Sequence, residues 1–199
     1  MIQFTKWTPA VAIVVVMFLA WEVFVRVWDI PVWLLPAPSS VAFTLYDSVG
    51  LLAVHSWVTL EEILLGFIVA ILAGLFLASL IALSNTFEKA LYPFIIASQT
   101  IPIIVIAPML LVWIGYGLAP KIIVVALISF FPIVVNTVDG MKSIDPDMER
   151  LLRTMGATKW QIFLKVQVPT SMPYLFSGLR VAIAVSVIGA VIGEWVGSS

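Results

Sequence analysis

The chain has 199 residues, of which 62% are hydrophobic and 11% charged, with a mean hydropathy of +1.16; a water-soluble domain of that size has no interior large enough to hide so much apolar surface. A net charge of −1 excludes nucleic acid as a partner, because phosphate binding needs clustered positive charge. Zero Cys and a single His, His55, exclude disulfides, zinc clusters and thiol chemistry, and without a Gly-x4-Gly-Lys-Ser/Thr phosphate loop any nucleotide hydrolysis belongs to another chain.

A helix needs roughly 20 mostly apolar residues to cross about 30 Å of hydrocarbon. The first segment to qualify covers residues 8–25, with Trp7, Trp21 and Trp28 near its ends, where amphipathic rings settle at the interface. Trp21 and Glu22 stand where a signal peptide would place a small-residue cleavage site, so this is an uncleaved span. Pro31, Pro36 and Pro38 then prevent a helix. After them Ser39 or Ser40 is placed to cap an interfacial helix carrying Val41, Leu45 and Val49 on one face.

The second span covers residues 57–83, with Glu61 and Glu62 at its start, where negative charge suits the helix dipole. Its small residues Gly66, Ala70, Ala73, Gly74 and Ala78 make a face for a helix contact inside the protomer or for a dimer seam. The third span, residues 94–114, is interrupted by Ser98, Gln99 and Thr100, and Pro102 and Pro108 are expected to kink it, with neighbouring helices satisfying the freed carbonyls. The fourth covers 120–138 and the fifth 174–196. Without a repeat or low-complexity linker, residues 1–199 read as a single domain.

The positions of Lys and Arg orient the bundle. With a cytoplasmic amino terminus, Lys6, Lys89, Lys142, Arg150, Arg153, Lys159 and Lys165 fall inside, against Arg26 and Lys121 outside. Arg180 is left within the fifth span. His55 reads as an outer-surface residue rather than a ligand.

Residues 144–173, IDPDMERLLRTMGATKWQIFLKVQVPTSMP, are the charged exception, a cytoplasmic helical hairpin. Asp145 suits an N-cap and Pro146 the first helical position, while Asp147 and Glu149 complement the dipole. Met148, Leu151, Leu152 and Met155 follow at i, i+3, i+4, i+7, with Glu149, Arg150 and Arg153 off that stripe. Gly156 supplies a left-handed turn, and Thr158 with Gln161 forms a capping box. Trp160, Phe163 and Leu164 are expected on one face, and Pro169 to stop the run. Two readings stand: a solvated loop with helical propensity, or a docking surface that covers apolar groups otherwise left in water.

Polar residues within spans are candidates for a translocation path, because hydrocarbon makes them costly unless they face the bundle interior. They are Ser98, Gln99, Asn136, Ser186 and Glu194. Interhelical hydrogen bonding is the equal alternative for Gln99 and Asn136, and simple solvation beside Trp195 is the alternative for Glu194.

The hairpin resembles the cytoplasmic "EAA" loop of binding-protein-dependent ABC importer permeases: Glu-Ala-Ala, three residues, Gly, nine residues, Ile-x-Leu-Pro. Gly156 is followed after nine residues by Val166-Gln167-Val168-Pro169, and Arg150-Leu151-Leu152 stands in place of Glu-Ala-Ala, with Glu149 one residue early. LLPAPSSV (34–41), GYGLAPKI (115–122), FFPIVVNTVDGM (130–141) and PYLFSGLRVAIAVS (173–186) resemble the nitrate/sulfonate/taurine branch. The closing IGEWVGSS (192–199) is more similar to permeases for the hydroxymethylpyrimidine thiamine precursor.

This resemblance implies an all-α, polytopic type-1 ABC importer permease with about five transmembrane helices plus the coupling hairpin, lacking the family's final span. It implies a bacterial cytoplasmic membrane and a permease that is not itself an enzyme, without a cofactor of its own. ATP and Mg would be held by partner ATPase subunits, which the hairpin would meet through Glu149, Arg150, Arg153, Gly156, Ala157, Thr158, Trp160, Phe163 and Pro169. The other implied partners are an extracytoplasmic solute-binding protein, a second permease copy and membrane lipid. The cargo expected is a small solute such as a thiamine-precursor pyrimidine, with nitrate, sulfonate, taurine or riboflavin as alternatives for the same machinery. A rival class, an ion-coupled secondary transporter or channel, needs no ATPase but relies on intramembrane charges that are sparse here. An enzyme of the membrane interior would need convergent His, Asp or Glu groups, and the sequence suggests no such constellation.

Overall fold

A computed structural model of the chain describes residues 8–197. Lys6 and Trp7, invoked above for orientation and anchoring, and the last two residues of IGEWVGSS lie outside the described residues. The described chain is helical: α1 (Thr8–Val27), α2 (Pro38–Asp47), α3 (Val49–Leu83), α4 (Asn85–Ser98), α5 (Ile103–Ile114), α6 (Leu118–Lys142), α7 (Pro146–Thr154), α8 (Lys159–Ile162) and α9 (Val168–Gly197). Four stretches, with α8 and α9 joined into one, are long and apolar enough to cross a membrane, and the bent pair α4–α5 makes a fifth. The described residues pack as two compact units, one up to Trp57 and one from Val58 on.

In the first unit α2 begins at Pro38, one residue before the expected cap. Ala37 occupies the N-cap position and offers no side-chain oxygen. Glu22 of α1 supplies the acceptor instead, taking the Ser39 amide at 3.0 Å and the Ser39 hydroxyl at 2.7 Å, while Arg26 donates to the same carboxylate at 2.6 Å. A carboxylate does this better than a hydroxyl because an ionised acceptor strengthens the bond and complements the positive helix end. The interfacial helix expected to carry Val49 ends at Asp47, and Val49 instead begins α3. The second span thus starts eight residues earlier than its polarity suggested. His55 and Ser56 look like a boundary by hydropathy, yet their backbone cost in a helix is only a few tenths of a kcal/mol.

The second unit is built around α6. The buried face of α3 carries Glu62, Gly66, Ala70, Gly74 and Ala78 at a strict spacing of four, and Ala73 lies off it, exposed. That face packs inside the protomer: Gly66 meets Val125 and Gly74 meets Ile133, both of α6. Across α6 lies α9, whose Gly178, Ala182, Ser186, Gly189 and Gly193 are buried. A Cβ added at Gly178 would stand 2.7 Å from the Pro132 carbonyl oxygen, so the two backbones approach closer than any larger residue permits. Val134 and Val138 of α6 join Ala78 and Ile81 of α3 and Ile95 of α4 in an apolar cluster at the other end. Large groups facing away from this core, such as Phe76 and Val112, are exposed on the protein surface, as lipid-facing side chains are in a bundle whose solvent is hydrocarbon.

The third span is a broken pair rather than one kinked helix. α4 and α5 meet at 98°. Pro102 brings no amide hydrogen and holds Ile101 out of the helical region, so the chain restarts there. The freed carbonyls are satisfied locally, by Ser98 Oγ on Ile95 O at 2.8 Å and Thr100 Oγ1 on Ala97 O at 2.7 Å, instead of by neighbouring helices. Pro108 stays inside α5 without breaking it.

Candidate functional site

The hairpin forms as two capped helices. Asp145 Oδ1 accepts the Asp147 amide at 2.8 Å with Pro146 in the first turn. At the far end Ala157 N donates to Leu152 O and Gly156 N to Arg153 O, both at 3.0 Å, with Gly156 at φ +85°. That pair of bonds is the Schellman motif, and its left-handed residue favours glycine. Thr158 and Gln161 then close the capping box in both directions, at 2.8 and 3.2 Å. Arg153 bonds Glu149 at 2.6 Å and Arg150 bonds Asp147 at 3.2 Å along α7. Pairs this exposed contribute little stability, but they hold both guanidinium groups in place.

Pro169 does not stop the second helix. Residues Phe163–Gln167 form a π turn, Val168 N reaching back to Phe163 O, and the helix runs on from Lys159 to Gly197. The wider turn accommodates a proline that cannot donate to, and would clash with, a carbonyl four residues back. Trp160 and α9 therefore belong to one continuous helix.

Trp160, Phe163 and Leu164 do not share one fate. Phe163 is buried at 5% exposure, with Ile162 beside it, and Trp160 stacks on its ring at 5.3 Å while remaining 54% exposed. Leu164 is also exposed. On α7 the expected stripe leaves Met148, Leu151 and Met155 exposed and Leu152 half-buried. The hairpin thus presents Met148, Leu151, Met155, Trp160 and Leu164 outward on a rigidly capped frame. Behind it lies a cavity of about 230 Å³ lined by Glu88, Lys142, Glu149, Arg153, Lys159 and Gln167. At its rim Lys142 pairs with Glu88 at 2.9 Å and Tyr92 donates to Asp139 at 2.9 Å, tying α4 to the end of α6.

The path candidates are not gathered in one place. Ser98 is half-buried, and Gln99 is exposed at the α4–α5 break. Asn136 Nδ2 donates to Pro132 O at 2.7 Å and is half-buried; Ser186 is fully buried in the α9 seam, donating to Ile183 O at 2.7 Å. Glu194 accepts from Thr59 Oγ1 at 2.6 Å, joining α9 to α3.

One polar group escaped the sequence reading. Glu62 belongs to no helix start; it is 1% exposed, well inside α3, and accepts from Lys121 Nζ at 2.8 Å. The signal was present in its spacing of four from Gly66, Ala70 and Gly74, which puts it on the buried face. Among the described residues no cluster of His, Cys, Asp and Glu is arranged to hold a metal ion.

Comparison with known proteins gives these features a family. Residues 70–199 match the family described as binding-protein-dependent transport system inner membrane component. The chain is 42% identical to a formylaminopyrimidine transport permease protein of Halalkalibacterium halodurans over 90% of its length and 72% of the relative's. It is 36% identical to a riboflavin transport system permease protein of Chloroflexus aurantiacus over 98% of its length and 74% of the relative's. A putative aliphatic sulfonates transport permease protein of Bacillus subtilis is 26% identical over 97% of this chain and 71% of its own. The capped hairpin, the multi-pass helical bundle and these matches agree, and the chain belongs to the binding-protein-dependent transport system inner membrane component family, as a permease of the ABC importer type.

Proposed function

We propose that this permease moves a thiamine-precursor pyrimidine inward across a bacterial cytoplasmic membrane, driven by a cytoplasmic ATPase that grips the hairpin. The observation that carries the coupling is the hairpin's build: exposed Met148, Leu151, Met155, Trp160 and Leu164 on a frame continuous with α9. Burying each such side chain in a partner's groove contributes about 1.5–3 kcal/mol before association costs. ATP and Mg belong to that ATPase, a binding protein delivers solute at the outer face, and a second permease copy completes the path within the lipid. The orientation that fits has a cytoplasmic amino terminus.

The coupling contacts assigned are Glu149, Arg150, Arg153, Trp160 and the turn Gly156–Thr158, with Phe163 and Pro169 transmitting from inside the helix. Closure of the ATPase moves the spans only if the hairpin is gripped differently in its two states. Gln99, at the 98° break, and Glu194, at the outer end of α9, are the path residues retained as first candidates. The pyrimidine cargo rests on the 42% identity to the formylaminopyrimidine permease; riboflavin, sulfonate and nitrate are the alternatives.

The test is reconstitution with the co-purified ATPase and binding protein. Trp160→Asp and Gly156→Pro are expected to leave ATP hydrolysis running while uptake falls at least about tenfold, the factor a loss of 1.4 kcal/mol produces. Normal uptake in both variants, or ion-driven uptake with no ATPase in the complex, overturns the coupling.

A further inference from the structure

Arg180 is the charge that neither the hairpin nor the core explains. It lies on the exposed face of α9, with Ser177, Ala184, Val187 and Val191 along the same side, opposite the buried Gly178–Ala182–Ser186 seam. Among the described residues it has no hydrogen bond and no ion pair.

Its depth makes that position informative. The helix is continuous from Lys159 to Gly197, and the nearest charged residues along it are Lys165 and Glu194. At 1.5 Å per residue these lie about 22 Å and about 21 Å away along the axis. Lys165, however, belongs to the hairpin; measured from Tyr174, where the fifth span begins, Arg180 lies six residues, about 9 Å, inside the span. The packing across the seam agrees: Gly178 abuts Pro132 and Asn136 of α6, inside the level at which Gly140 meets Ser171 and Tyr174. Long basic side chains snorkel to an interface from helix ends, which would require Arg180 to lay its stem along about 9 Å of apolar helix. A guanidinium held within the span and turned toward hydrocarbon costs several kcal/mol, so such a residue faces water or a partner group.

We infer that Arg180 lines the aqueous translocation path and binds an anionic or carbonyl oxygen of the passing solute. This rests on the importer function but not on how the hairpin engages its ATPase. A guanidinium suits the task, with five donors in a fixed fork and a charge that no ordinary pH removes. It also suits transit: one half of an ion pair, met by a mobile acceptor, gives selectivity without the permanent partner that would trap the cargo. The small side chains at Ser177 and Ala184, one turn to either side, leave the guanidinium uncovered.

The chain holds zero Cys, so a single introduced thiol reports its own surroundings. Ala184→Cys is made in native membrane vesicles holding the assembled importer, with no ATP added. It is then treated with membrane-impermeant methanethiosulfonates, one anionic (sulfonatoethyl) and one cationic (trimethylammonioethyl). Both reagents are expected to label Cys at 184, and Arg180→Gln is expected to lower the anionic-to-cationic rate ratio about tenfold, as two units of charge difference one helical turn away give in water. Arg180→Lys, which keeps the charge, is expected to keep the ratio and guards against a folding defect in the Gln variant. No labelling at 184 by either reagent, or a ratio indifferent to Arg180→Gln, overturns the inference. Because labelling needs no ATP turnover, failure of the ATPase coupling leaves this readout intact and is told apart from failure here.

Discussion

Lys121 Nζ reaches from α6 to Glu62 Oε1 of α3 at 2.8 Å, and Glu62 is 1% exposed while its second carboxylate oxygen has no hydrogen-bond partner among the described residues. The lysine stem is laid across Gly193 of α9, so the pair fixes three helices at one end of the bundle. Removing one partner leaves a buried charge uncompensated, which costs about 3–5 kcal/mol, whereas replacing both by apolar groups is often neutral. Lys121→Met alone is expected to fall near the lower end, about 3 kcal/mol, because the lysine keeps contact with solvent. The double variant Glu62→Leu/Lys121→Met should recover most of that loss. Thermal unfolding in detergent checks both, and equal destabilisation by the single and double changes would show that the pair does not act as a unit.

The α6–α9 seam depends on what is missing at Gly178. A Cβ there meets the Pro132 carbonyl oxygen at 2.7 Å and Asn136 Cβ at 3.0 Å, and neither is the free end of a flexible chain. Gly178→Ala is expected to cost about 1–3 kcal/mol through overpacking, despite alanine's better helix propensity. Gly50 of α3, with nothing within 4 Å, is the contrast, and Gly50→Ala should stabilise by up to about 1 kcal/mol. Unfolding midpoints that move in the same direction would refute the packing argument.

Glu22 caps a helix to which it does not belong. Its carboxylate holds both the amide and the hydroxyl of Ser39 at the start of α2. Glu22→Ala should leave α2 unanchored at its first turn, read as faster hydrogen exchange confined to residues 38–47. Ser39→Ala, which keeps the amide bond and loses only the hydroxyl, should produce a smaller change. If the two variants exchange alike, the amide contact is not what secures the turn.

Glu194 and Thr59 offer a check on the proposed path. Their 2.6 Å bond links α9 to α3. If Glu194 contributes to uptake through that bond, Glu194→Gln and Thr59→Val should each lower the uptake rate, and the double variant should lose no more than the worse single one. Uptake and a pH profile unchanged by Glu194→Gln would remove this residue from the path.

What the sequence decided by itself was everything that depends on neighbours along the chain. Hydropathy over some twenty residues marks the spans, and the caps at Asp145, Gly156 and Thr158 lie within three residues of the groups they satisfy, so they were legible before any fold was known. What depends on contacts across the chain was not legible. Glu62 looked like a helix-start residue because its partner Lys121 lies 59 positions away, and Phe163 looked like a docking residue because nothing local buries it. Pro169 and Pro102 contribute the same chemistry, a missing donor and a steric block, and came to opposite ends. At Pro169 a π turn absorbs the defect and the helix continues into a packed seam; at Pro102 the carbonyls are taken by Ser98 and Thr100 and the chain turns through 98°. Local rules give each proline its cost, and only the packing around it decides whether the backbone absorbs that cost or breaks.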